Sequence, residues 1–426
     1  MAPLRVAIAG LGTVGTGLVR IVASGAPQEP MQISGVSARD RTRDRGIDLS
    51  AFEWFDDPIA MAEASGTDVF VELIGGDEGV AKDAIEAALS AGKHVVTANK
   101  ALIAKHGLAL AALAEAKGVA LRFEAAVAGG IPVIRALRDG LSGTQVTALQ
   151  GVLNGTCNFI LASMEAGASY ADALAEAQRI GFAEADPSFD VGGIDAAQKL
   201  AILAALAFGV MPPIDAIGPI GIDTASPEDL AAAENLGLRM KLVAILRREN
   251  DGLAARVAPA LVPLTSALDI GGGGENIVVA DAEPLGRVAF SGPGAGGGPT
   301  ASSVMADLVD IARGSTGPAF GKPADAIDAS PNVMPDSAPV PHFLRVLVED
   351  RPGVLASLTE ILAEAFISVE TIRQSPVADN GDVEVVITTH AAPTGALTMA
   401  AKAAEALTSV TSAPSIYPIL REAPSS

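Results

Sequence analysis

The sequence predicts an α/β chain with a parallel-sheet domain at its amino end, an α+β domain with a mixed sheet in the middle, and a small ferredoxin-like domain at its carboxyl end. Three observations carry that reading. Short apolar runs alternate with alanine-rich helical stretches up to residue 117, and that regularity breaks after Ile131. A segment rich in Gly, Pro, Ser and Asp at 314–340 then precedes a last strand–helix–strand–strand–helix–strand pattern. With 426 residues, 49% of them hydrophobic, the chain can fill two or three cores.

Residues 4–9 are an apolar run, and GLGTVGTGLVRIVAS after them reads as a tight turn and a helix. MQISGVSA gives a second strand, and DVFVELIG at 68–75 and KHVVTAN at 93–99 give two more, with VAKDAIEAALSAG as an intervening helix. A helix at 107–117 and a fifth strand, VALRFEAAV, complete a dinucleotide-binding unit over 1–130. TALQGVLNGT, RVAPALVPL, NIVVADA and RVAFSGP read as strands of a mixed sheet in a substrate, catalytic and dimerisation unit over 131–299. The amphipathic helix at 300–313 is expected to return to the first domain, 314–340 to be a linker, and 341–426 to form the third domain.

The net charge of −21 opposes binding to nucleic acid or anionic lipid. One cysteine, Cys157, forms no internal disulfide, and the four histidines lack ligand spacing, so a thiolate metal cluster is not expected. The first residues run into LRVAIAGLG without the order of a secretory signal, and the longest apolar run, Leu200 to Met211, is too short for a bilayer. A cytoplasmic location and no membrane partner are the expectations.

The densest chemistry lies in GFAEADPSFDVGGIDAAQKLAIL at 181–203. From Ile194 to Phe208 the only polar side chains are Asp195, Gln198 and Lys199, on one helical face. A lysine on so apolar a helix has to reach a cleft or be paired, and Asp195 stands one turn earlier. An i,i+4 ion pair on a core helix is the plain alternative, but Glu184, Asp186 and Asp190 crowd the preceding loop with more carboxylates than a connection needs.

Gly10, Gly12 and Gly15 form GxGxxG between the first strand and helix, where a Rossmann-type fold holds a pyrophosphate against the helix N-terminus. After the second strand come Ser37-Ala38-Arg39-Asp40-Arg41, then Arg43 and Arg45. Arginine suits a 2′-phosphate and favours NADP(H), while Asp40 leaves NAD(H) open. Lys100 follows the fourth strand at the sheet's carboxyl edge, as a cofactor or substrate contact or a surface charge. The bend from Glu124 to Pro132 could expose carbonyls to a monovalent cation, or serve as a hinge. Asn154-Gly155-Thr156-Cys157-Asn158 offers a turn and a hydroxyl for an amino-acid carboxylate, and Cys157 reads as a small buried residue rather than a nucleophile. Gly292 to Thr300 brings amides near the cofactor, or is merely a flexible loop.

Taken together, GLGTVG, TANKAL, FEAAVAGGIP, NGTCN, GFAEADPSFDVGGIDAAQKL and GPGAGGGPTASS resemble the homoserine dehydrogenase family, in that family's order and over essentially the whole chain. The resemblance implies NAD(P)-dependent interconversion of L-homoserine and L-aspartate 4-semialdehyde on the way to threonine and methionine. It implies Lys199 as proton donor and acceptor, Lys100 as its partner near cofactor and carbonyl, and Asp195 as the group that orients Lys199. Glu184 and Asp190 would hold the substrate ammonium, with Gly155 and Thr156 lining the site. Thr13, Val14, Arg39, Lys100 and Gly296 would join the glycine turn in holding cofactor. A sodium site would draw on Glu124 and the main-chain oxygens of Val127, Gly129 and Ile131. Phe182 stands where the family commonly has tyrosine.

Residues 342–417 resemble an ACT domain, with Glu349-Asp350-Arg351-Pro352-Gly353-Val354-Leu355 at the first strand-to-helix turn. That resemblance implies an L-threonine effector and a homo-oligomer, a dimer or tetramer. An assembly module without ligand is the alternative. Against the enzyme stand a different Rossmann oxidoreductase and a catalytically silent amino-acid sensor.

Overall fold

In the computed structural model, the described residues are all of the chain except 1, 26–28, 250–251, 376–381 and 422–426. The first sheet has six parallel strands, β1 (Leu4–Ala9), β2 (Met31–Ser37), β3 (Glu53–Phe55), β4 (Val69–Glu72), β5 (His94–Thr97) and β6 (Leu121–Arg122), in the order β3-β2-β1-β4-β5-β6. Order reverses beside β1, so the carboxyl ends of β1 and β4 flank the crevice where such sheets take ligands. Val6, Ile8, Val69, Val71 and Val96 are wholly buried. Such apolar runs suit a parallel sheet with both faces covered.

The fifth expected strand is cut short. After Arg122 the backbone turns into a 3-10 helix, Glu124–Ala126, because Glu124 N–H bonds to Asp307 Oδ2 at 2.8 Å and leaves the ladder. The fourth expected strand ends at Thr97, and Asn99 caps a helix that begins earlier than the sequence suggested, Lys100–Lys117, through a 3.1 Å bond from Leu102 N–H. Lys100 is thereby the first helical residue.

The second sheet contains β7 (Gln145–Val152), β8 (Leu238–Glu249), β9 (Gly252–Pro263), β10 (Glu275–Glu283), β11 (Gly286–Pro293) and β12 (Val333–Pro335), ordered β11-β10-β7-β8-β9-β12. All pairings are antiparallel except β12 with β9. The long central strand β8 was not anticipated, since its nearly continuous burial erases the alternation that marks a half-exposed strand. Helix Ile194–Phe208 has the expected bounds and lies in the core, with Leu200 to Ala205 wholly buried.

Helix Gly297–Ala312 does return to the first sheet, where Ala301, Val304 and Leu308 join the core around β1. The 314–340 segment is not a free tether. Its carbonyls at Ser315 and Gly317 each accept from buried Arg122 at 3.0 Å, the Phe320 ring packs tilted against Phe123 at 5.0 Å between centroids, and β12 extends the second sheet. Low hydrophobic periodicity misread it, because a strap is held by its own carbonyls and one aromatic ring rather than by an apolar face.

The third sheet, β13 (His342–Glu349), β14 (Val369–Gln374), β15 (Asp382–Thr389) and β16 (Ser415–Pro418), runs β14-β15-β13-β16 and is antiparallel throughout. Two helices, Val354–Glu364 and Thr394–Glu405, give the ferredoxin-like order. This unit is docked on the second. Asp229, 1% exposed, accepts from Tyr417 Oη at 3.1 Å and pairs with Arg345 at 3.2 Å. Among the described residues no helix is long and apolar enough to cross a membrane.

Candidate active site

Helix Ile194–Phe208 and helix Lys100–Lys117 pack together, and Lys199 from the second turn of one and Lys100 from the start of the other meet one carboxylate. Lys199 Nζ donates to Asp195 Oδ2 at 2.7 Å and to the Leu153 carbonyl at 2.6 Å; Lys100 Nζ reaches Asp195 Oδ1 at 3.1 Å. Lys199 is 9% exposed and Asp195 4%. Burial alone would raise the Asp195 pKa, but the nearby ammonium groups of Lys199 and Lys100 outweigh it and hold it at about 2. The side chain of Lys100 is more open, and its ammonium lies 5.9 Å from the Phe189 ring centroid.

Opposite this cluster, helix Gly155–Glu165 starts at Asn154, whose Oδ1 accepts the Cys157 N–H at 2.7 Å. Its Nδ2 donates at 2.8 Å to both Asp190 Oδ1 and Asp195 Oδ2. Burial raises the Asp190 pKa, an effect the Asn154 hydrogen bond opposes and the Asp195 charge adds to. Cys157 is wholly buried, its thiol donates to the Asp190 carbonyl at 3.2 Å, and burial pushes its pKa well up, so it is no ready nucleophile. Thr156 Oγ1 donates to the Phe182 carbonyl at 2.8 Å, which ties the helix start to the 181–190 loop.

The glycine turn leaves β1 with Gly10 at φ 100°, a conformation only glycine holds without strain. A Cβ on Gly15 would stand 2.0 Å from the Gly10 carbonyl oxygen, whereas one on Gly12 would meet nothing within 4 Å. The backbone at Gly12 therefore faces open space, a cavity of about 640 Å³ that is also bordered by Arg39, Asp40 and Arg43. Thr13 opens helix Thr13–Ala23, and a Cβ on Gly297, at the start of helix Gly297–Ala312, would come within 2.5 Å of its methyl group. Two helix N-termini thus converge where a pyrophosphate would be held. The same loop reaches the lysine cluster. Gly294 packs against the carboxamide of Asn276, and Asn276 Nδ2 donates at 2.9 Å to the Leu153 carbonyl that also receives Lys199.

The family model described as homoserine dehydrogenase matches residues 132–309, the homoserine dehydrogenase NAD binding domain matches 10–124, and the ACT domain matches 342–406. A homoserine dehydrogenase of Neisseria gonorrhoeae is 39% identical over 420 residues, 96% of each chain. The chain belongs to the homoserine dehydrogenase family.

It is accordingly an oxidoreductase with an NAD-binding domain and a carboxyl-terminal ACT domain. The crystal structure of a homoserine dehydrogenase from Thiobacillus denitrificans shares the fold, with a TM-score of 0.89, 37% identity and 99% of both chains covered. A hyperthermophilic archaeal homoserine dehydrogenase in complex with NADPH superposes with a TM-score of 0.61 at 27% identity, over 72% of this chain and 97% of that one.

Within this homoserine dehydrogenase fold, Lys199, Lys100, Asp195 and Asp190 gather, with Gly155 and Thr156 beside them. Glu184 does not join: it is exposed, and its carboxylate has no hydrogen bond or ion pair among the described residues, while its carbonyl accepts from Gln178 at 3.0 Å. Gly10, Gly12, Thr13, Val14, Gly15 and Gly296 lie along the glycine turn and the facing helix start; Arg39 borders the same cavity.

Glu124 is buried, and its two oxygens accept the N–H groups of Ile134 at 2.9 Å and Arg135 at 2.8 Å. Gly129 O accepts from Ser303 Oγ at 2.6 Å, and Ile131 O from Val133 N–H at 2.8 Å. Of the expected sodium ligands, Val127 is buried in the same turn. Protein donors hold this turn together. Among the described residues no group of three or more His, Cys, Asp or Glu could hold a metal ion.

Sequence reasoning missed Asn154 and Asn276 as organisers of the lysine cluster. It also missed Glu72, wholly buried at the end of β4, which accepts the N–H groups of Ile74 at 2.7 Å and Gly75 at 2.9 Å and the hydroxyl of Thr97 at 2.5 Å. A lone buried carboxylate after an apolar strand was the available signal.

Proposed function

We propose that this chain interconverts L-homoserine and L-aspartate 4-semialdehyde with NADP(H) as the preferred cofactor, and that Lys199 carries the proton. The observation that carries the reading is the sheltered Lys199 ammonium on Asp195, joined through the Leu153 carbonyl and Asn276 to the glycine loop at the cofactor crevice. Gly10, Gly12, Thr13, Val14, Gly15 and Gly296 would hold the dinucleotide, and bound nicotinamide supplies or accepts the hydride. In reduction, Lys199 donates its proton to the oxygen as negative charge develops there, and Lys100 adds a second positive charge. In oxidation, a neutral Lys199 takes the hydroxyl proton, so turnover rises toward alkaline pH. Asp195 keeps the Lys199 side chain aimed in both directions. Asp190 and Glu184 would receive the substrate ammonium, while Gly155 and Thr156 line the other wall.

Two features support NADP(H). The Arg39 and Arg43 side chains are exposed beside the Gly12 cavity and unpaired among the described residues, available to a 2′-phosphate. Asp40 is occupied, with one oxygen accepting both the N–H of Thr42 at 2.8 Å and its hydroxyl at 2.7 Å, and is less suited to ribose hydroxyls. The similar archaeal enzyme with NADPH points the same way.

Feedback by L-threonine and assembly into a homo-oligomer belong to the same reading, supported by an ACT domain whose β13 and β16 grip Asp229 of the catalytic unit. A cytoplasmic location fits such an enzyme. The test is an initial-rate assay of L-aspartate 4-semialdehyde against other aldehydes, with NADPH, NADH and L-threonine varied. Equal rates with unrelated aldehydes would overturn the substrate assignment, and a flat threonine response the effector.

A further inference from the structure

Asn154 has every polar hydrogen and its oxygen committed at the site. Its two N–H bonds go to different carboxylates, Asp190 and Asp195, each at 2.8 Å, while its Oδ1 caps helix Gly155–Glu165. It is 2% exposed, so water does not compete for these bonds. The spread of an amide's two N–H bonds sets the two acceptor oxygens about 5 Å apart. Asp195 faces the lysines; Asp190 has neither lysine within ion-pair reach, and its side-chain partner is Asn154.

Resting on the reading above, we propose that Asn154 is a positioning residue that divides labour between the two carboxylates. One N–H holds Asp195 under Lys199 for proton transfer, and the other turns Asp190 toward the substrate ammonium. The groups that set the charge here come from every packed element: Asp190 from the 188–191 turn, Asp195 and Lys199 from their helix, Lys100 from the helix it begins, and the Cys157 thiol beside Asn154. A carbonyl or hydroxyl cannot replace the amide, since only a group with two donors and one acceptor satisfies both carboxylates and the cap.

The test uses the full-length chain with Asn154→Ser and Asn154→Asp. Both keep an oxygen for the Cys157 N–H, so the helix cap survives, and both lose the double donor. In Asn154→Ser, KM for L-homoserine is expected to rise roughly tenfold to a hundredfold, the cost of losing a hydrogen bond to a charged group, with NADPH affinity unchanged. Asn154→Asp adds a second carboxylate near Lys199, next to Asp195, which favours the ammonium form. The pH at which homoserine oxidation accelerates should move upward. If Asn154→Asp fails to fold, the KM and pH profile of Asn154→Ser decide alone. Wild-type KM and pH profile in the folded variants would overturn the assignment. So would a KM rise matched by equal losses of NADPH affinity and melting temperature, which is what a purely structural role gives. A wild-type chain inactive on homoserine would instead overturn the functional reading itself, a separate outcome.

Discussion

Replacing Asp195 with asparagine removes one negative charge from between two ammonium groups while keeping the side chain's shape. The carboxylate is held at about 2 against an ordinary 3.8, despite burial that pushes the other way, and that difference is worth roughly 2 kcal/mol. Because the folded pKa is depressed, this stability is fully present above about 4 and is lost as pH falls through about 2. Asp195→Asn should therefore cost roughly 2 kcal/mol at neutral pH, visible as a melting temperature lowered by several degrees, and the cost should vanish near pH 2 if the fold survives there. The kinetic effect should be larger. Lys199 at 2.7 Å and Lys100 at 3.1 Å lose their shared partner, and Asn154 Nδ2 would face an amide in place of a carboxylate oxygen. With the proton-transfer group no longer aimed, kcat for homoserine oxidation should fall on the order of a hundredfold. The assay is homoserine-dependent formation of reduced cofactor, beside a fluorescence titration of NADPH. A variant with kcat within about twofold of wild type would refute the claim that this carboxylate organises catalysis.

Lys199→Ala should reduce kcat by about 10²–10⁴ with NADPH binding preserved, as measured by the same assay and titration. Arg39→Ala with Arg43→Ala should raise KM for NADPH roughly tenfold and leave KM for NADH unchanged, a difference that steady-state kinetics with both cofactors would reveal. Asp307→Asn tests a buried carboxyl. Burial, reinforced by the Glu124 charge, raises Asp307 to about 7. A raised carboxyl pKa makes stability fall as pH climbs from about 4 to about 7, so the neutral variant should melt higher than wild type at pH 8 and the same near pH 4, as scanning calorimetry at both pH values would record.

Much of the fold was legible because its signals are local. The three- and four-residue spacing of Asp195, Gln198 and Lys199 in an apolar run marked the helix there, and the glycine spacing located the first turn. What escaped was long-range. Strand β8 lacks alternation because both its faces are covered, and the Ser315–Gly317 strap shows its purpose only when Arg122 is seen to need its carbonyls. At the site, Lys199 and Asp195 were paired by helical spacing. Only the family resemblance placed Lys100 beside Lys199, since no local spacing shows that it meets Asp195, 3.1 Å away, and Glu184 was expected in a cluster that its loop does not bring it to.

The amino-acid sequence by itself determined the three units, the glycine turn after the first strand and the acid–lysine pair, since each follows from backbone geometry over a few neighbouring residues. Only the tertiary structure decided which carboxylate the second lysine meets, which amide separates Asp190 from Asp195, and how the glycine loop reaches the Leu153 carbonyl. Those meetings depend on how buried helices and strands pack against one another, and close packing leaves no mark in the local order of residues.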